Sequence, residues 1–145
     1  MNVKDYLSRY HYTELKIQRM QEEVYEYNRL ANTIPGCNFD AIRVDGTKSL
    51  DAPFTKWIHK AMEQELLIED MKRKLPIIKC EIISAIDELD DTELKRLLIY
   101  RYIDWLSWSD IAEKMFYSSA TIRRWHDKAL VEIKMLDTIR GDIKN

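Results

Sequence analysis

Apolar residues along this chain recur at threes and fours rather than at twos, which is the period of a helix face and not of a half-buried strand. From the N-terminal side, Tyr6, Tyr10, Thr13, Ile17, Met20, Val24, Tyr27 and Ala31 advance by alternating fours and threes, with Lys16, Arg19, Glu22 and Glu26 between them. That spacing is a heptad seam and predicts one long helix. A second series, Phe54, Trp57, Ala61, Gln64, Ile68, Met71, Leu75, Ile78, Ile82, Ala85 and Leu89, keeps the same phase. It predicts a second long helix lying antiparallel to the first, a coiled-coil-like hairpin over residues 1–89. Pro76 falls inside the second run, lacks a backbone donor and crowds the preceding turn, so a kink or a restart is expected near Leu75. Between the seams, "NTIPGCNFDAIRVDGTKSLDAP" (residues 32–53) holds Pro-Gly and Asp-Gly and no sustained period. It predicts a long loop. The fold class expected is all-α.

After Leu89 the pattern shortens. Asp90 followed by Glu93 has the spacing of a capping box, and Leu94, Leu97, Leu98, Arg101 and Tyr102 trace a short amphipathic helix ending near Asp104. Ser107 is placed to cap the next helix, with Asp110 in its first turn near the positive end of the helix dipole, and that helix should run to about Met115. Ser118 or Ser119 can cap a third helix through Ile122, Trp125, Ala129, Ile133 and Leu136. The inward set of the last two helices is then Ile111, Ala112, Met115, Ile122 and Trp125. Ala112 is small, as crossing helices require at close approach. Ser119, Ala120, Arg123, Arg124 and Lys128 share the outward side near the start of the last helix. Arginine on such a face can pair bidentately with guanine, and serine or threonine can bond phosphate or base.

The stretch "LLIYRYIDWLSWSDIAEKMFYSSATIRRWHDKAL", in particular "WSDIAEKM", "YSSATI" and "KAL", resembles the region 4 helix-turn-helix of bacterial sigma factors. Following a heptad hairpin, it resembles the small phage and prophage transcriptional regulators of the RinA and ArpU type. The resemblance is specific over the last third of the chain, from about residue 90 to 136, and architectural before it. It implies a helix-turn-helix over 90–145, a late-gene regulator that reads double-stranded DNA with the last helix, contact with host RNA polymerase, and a location in the cytoplasm of the bacterial host. The residues it assigns to DNA are Ser118, Ser119, Ala120, Thr121, Arg123, Arg124 and Lys128. One position departs from the pattern: the turn site usually given to glycine is Phe116. Either the turn has another geometry, or Phe116 is packed and strained, or the register differs by one. Trp105 likewise stands where a small turn residue is expected.

Charge narrows the picture only a little. The formal net charge is −2, with sequence pI near 5.9, so no bulk electrostatic attraction selects nucleic acid. From Trp108 to Asn145 seven Lys or Arg stand against six Asp or Glu, a net of +1; the remainder holds 16 against 19, a net of −3. Any DNA affinity therefore rests on a local patch, and a homodimer through the hairpin, or help from polymerase, would strengthen it. The basic run "MKRK" (71–74) reads as a solvated face, with phosphate contact as the alternative. Tyrosines make the first seam less apolar than a leucine one. Two readings follow, packing within the chain and contact with a second copy.

Cys37 and Cys80 form no CxxC pair and read as reduced thiols. The start "MNVKDYLSRY" has no apolar signal core, and no run has the length of a membrane span. No glycine-rich phosphate loop, nucleophile elbow or metal-ligand spacing is present, so neither an enzyme nor a cofactor is expected. His126 reads as a surface or phosphate-proximal side chain, and Trp108 and Trp125 as core. Two other functions remain open: a DNA-packaging subunit similar to small terminases, which ring assembly would favour, and a helical interaction protein that binds no DNA, which indifference to substitution of Arg123 and Arg124 would favour.

Overall fold

The structure, a computed structural model, describes residues 2–32 and 48–140, and every element among them is helical. The elements are α1 (Val3–Asn32), α2 (Lys48–Asp87), α3 (Thr92–Leu98), a π-helical turn (Ile99–Ile103), α4 (Trp108–Met115) and α5 (Ser119–Arg140). The expected loop is shorter at its far end: α2 already begins at Lys48, and residues 48–53 are helical, since Leu50 and Ala52 are strong helix formers beside Pro53. The rest of that loop, 33–47, with Cys37, lies outside the described residues. Pro76 does not restart the helix, because α2 is continuous from Lys48 to Asp87. The capping residue of α3 is Asp91 rather than Asp90, because it is the Asp91 carboxylate that accepts the Glu93 amide at 2.9 Å.

The chain divides into two compact units, Leu15–Arg73 and Met1–Glu14 with Lys74–Asn145. In the first, Ile17, Met20, Val24, Ala31, Ala61 and Ile68 are buried, as the seams predict. The Gln64 amide donates to Glu23 at 2.8 Å, and Tyr27 stacks on Trp57 at 5.8 Å with the Lys60 ammonium over both rings. Lys72 and Arg73 of the basic run are exposed, and Arg73 reaches Asp70 at 3.5 Å.

The second unit has a deeper core. Val3 and Leu7 of α1, Ile82 and Ile86 of α2, Leu89, Leu94, Leu98, Tyr102, and Ala129 and Ile133 of α5 form one buried cluster. Leu97, Ile111, Ala112, Met115 and Ile122 form another, and Trp125 packs against both. Full burial of one leucine or isoleucine side chain contributes about 1.5–3 kcal/mol, so these two clusters fix where α4 and α5 sit. Within this unit the Arg9 guanidinium also meets Glu81 at 2.8 Å. No described helix is long and apolar enough to cross a membrane.

Candidate nucleic-acid interface

The interface is built by two helices and the three residues between them. Ser107 takes extended backbone angles and its hydroxyl accepts the Asp110 amide at 3.1 Å, which starts α4 as the sequence predicts. Ile111, Ala112 and Met115 turn inward onto Ile122 and Leu97. The end of α4 is set by Phe116, with φ 62° and ψ 38° in the left-handed region. The Tyr117 amide then reaches back to the Ala112 carbonyl at 3.2 Å, the six-to-one bond of a Schellman ending. Of the three alternatives for Phe116, the turn does have a positive φ there, but the ring is not packed: it is 91% exposed. Tyr117, also exposed, meets the Trp125 ring edge-on at 4.5 Å.

Ser118, not Ser119, caps α5. Its hydroxyl accepts the Thr121 amide at 3.2 Å and pairs with the Thr121 hydroxyl at 2.8 Å. The Arg124 guanidinium donates to the same Thr121 oxygen at 3.3 Å, which steers Arg124 along the first turn of the helix. The Arg123 guanidinium lies 5.9 Å from the Trp108 ring centroid, on a ring that Arg101 also covers at 4.2 Å. Ser118, Ser119, Ala120, Arg123, Arg124 and Lys128 are exposed and Thr121 is half-buried; Ser118 stands at the cap and the other six residues singled out in the sequence lie along the first turns of α5. The opposite side of the helix carries Ile122, Ala129 and Ile133, all buried. Thr121 and Ser118 already hold local hydrogen bonds. Among the seven, the exposed first turn at Ser119 and Ala120 and the cations at 123, 124 and 128 offer the outward chemistry.

One residue corrects the expectation drawn for it. His126 is 5% exposed, and its Nε2 stands 2.6 Å from the Tyr102 hydroxyl. Its other ring nitrogen is 3.6 Å from Asp127. Burial is the main cause that holds the imidazole below its ordinary value, and Arg101 and Lys4 push the same way against the pull of Asp127. Burial also drives the Tyr102 phenol up to about 12. The phenol keeps its proton and the imidazole is neutral, and the hydrogen bond between them ties α5 to the π-helical turn. The signal was in the spacing: Ile122, His126, Ala129 and Ile133 advance by four, three and four, so His126 shares the buried face.

The turn before α4 is closed by aromatic stacking. Trp105 has φ 54°, and its ring stacks on His11 at 3.7 Å and 7° and meets Tyr12 and Tyr102 edge-on. The Leu106 amide bonds Tyr100 at 2.9 Å and the Leu106 carbonyl accepts Arg101 at 2.9 Å. At the opposite edge, Arg96 and Lys114 both lie over the Tyr100 ring, at 5.9 and 5.5 Å. No family model matches the chain, and no curated protein or solved structure matches it either.

Proposed function

We propose that the protein is a sequence-specific DNA-binding transcriptional regulator of the RinA and ArpU type, in which α4 and α5 act as a helix-turn-helix like that of sigma factor region 4. The observation that carries the reading is the two-sided character of α5. One side is locked by Ile122, His126, Ala129 and Ile133, while Ser119, Ala120, Arg123, Arg124 and Lys128 are exposed at its beginning, the part of a recognition helix that meets base edges. Arginine supplies the bidentate fork for guanine, and Lys128 a phosphate contact. The pairs Glu23 with Gln64 and Tyr27 with Trp57 support an antiparallel hairpin in the other unit. In this reading the hairpin serves as the surface for a second copy or for host RNA polymerase.

Selection from a random duplex pool with the purified chain, followed by binding of the selected site as salt is raised, tests the reading. An enriched motif is expected, with affinity that falls as salt is raised in proportion to the number of phosphates neutralised, a shallow slope for a patch of small net charge. Arg123→Ala/Arg124→Ala should weaken the selected site by at least tenfold, since each good base-reading pair is worth about 1–3 kcal/mol. No enrichment, with both proteins alike, would refute it.

A further inference from the structure

Phe116 carries two costs that its own fold does not offset. A β-carbon at φ 62° and ψ 38° is crowded where glycine is not. The ring also stands in water, 91% exposed, so burial does not compensate the strain. Backbone strain held in place by a structure that gains nothing from the side chain directs attention to something outside the chain.

The surroundings indicate what that is. Lys114 is two residues before Phe116 and exposed, and with Arg96 it converges on Tyr100. Ser118, Thr121 and Arg124 form a hydrogen-bonded chain on the following side. An apolar protein pocket receiving the ring would bring hydrocarbon up against these cations and strip their water, which is unfavourable. The wall of a DNA groove instead alternates anionic phosphates with deoxyribose and thymine methyl groups, and so matches a ring set between cations and hydroxyls.

We infer that Phe116 is an apolar contact to duplex DNA, packing on the deoxyribose and thymine-methyl surface beside the groove entered by α5, while Lys114 and Arg124 face the flanking phosphates. The inference rests on the nucleic-acid reading of α5 and adds to it a residue that reads surface rather than hydrogen bonds.

The test uses the full chain, its Phe116→Gly variant and the Arg123→Ala/Arg124→Ala variant, with a fluorescein-labelled duplex of the enriched sequence and the same duplex carrying deoxyuridine for thymidine. Glycine relieves the strain, so the Phe116→Gly protein should melt about 3 °C higher. It should nevertheless bind the duplex roughly tenfold more weakly, the loss expected for one apolar contact. Removing the thymine methyl groups should weaken the natural chain more than the glycine variant. Unchanged affinity in Phe116→Gly, with a large loss in the double arginine variant, would overturn the inference while leaving the DNA reading intact, and would assign Phe116 to a protein partner. Failure of the natural chain to enrich any duplex would overturn both.

Discussion

Trp105 and Phe116 take the same backbone step, φ 54° and φ 62°, at the two turns that bracket α4, and neither is glycine. At Trp105 the side chain compensates the step: it stacks on His11, meets Tyr102 and Tyr12 edge-on, and lies 5.7 Å from the Arg101 guanidinium. At Phe116 the ring lies in solvent. A left-handed residue with a β-carbon costs about 1–2 kcal/mol, so one turn is retained for internal packing and the other is left uncompensated within the chain. The contrast separates a structural turn from a functional one by a criterion that can be measured, namely the sign of the stability change when each is replaced.

The largest effect should come from Trp105→Ala, which keeps the strained angle and removes the stack. A loss of about 3 kcal/mol is expected in urea unfolding, and a change below 1 kcal/mol would show that the stack contributes little. Tyr102→Phe leaves the buried His126 nitrogen without its hydrogen-bond partner and should cost about 2 kcal/mol, read in the same way. The pH dependence follows from the same pair. His126 is held below its ordinary value, so the folded state resists taking up the proton that the unfolded chain accepts near pH 6.5. Stability should therefore be complete above that pH and fall as the solution is acidified through it. His11, also lowered by burial against the opposing pull of Glu14, adds in the same direction. A profile flat between pH 7 and pH 5 would contradict the buried neutral assignment. The smallest change, and the only gain, belongs to Phe116→Gly: about 1 kcal/mol of added stability in the same unfolding assay. A loss there would make the two turns alike and remove the contrast.

Most of the helix pattern was legible because a buried face repeats at threes and fours whatever the partner is. The cap at Ser107 and the inward set Ile111, Ala112, Met115, Ile122 and Trp125 are found in the structure as the spacing predicts. What escaped was information of a different range. Asp91 rather than Asp90 caps α3 because the choice depends on which carboxylate reaches an amide within one turn, and two adjacent aspartates look the same to a periodicity. Leu7 and Ile86, both fully buried, lie one position off the heptad seams because a helix that packs on two sides buries more than a single stripe. The polarity of His126 argues for the surface while its spacing argues for the core, and its partner Tyr102 is 24 residues away with no local pattern to connect them. For the candidate interface, exposure of Ser119, Ala120, Arg123, Arg124 and Lys128 follows from the period of α5 alone. The positive φ at Phe116 is one of three alternatives that the sequence leaves open, and no local pattern marks the exposure of its ring.

The most direct test of the central claim is an NMR titration of the full, isotope-labelled chain with the duplex enriched in selection. If α4 and α5 read DNA, the amides of residues 116–124 should shift first and most, with smaller changes at Lys114 and Lys128, while the buried amides of α1 and α2 remain in place. Shifts confined to residues 15–73, or no shifts at a duplex concentration that saturates other assays, would contradict it.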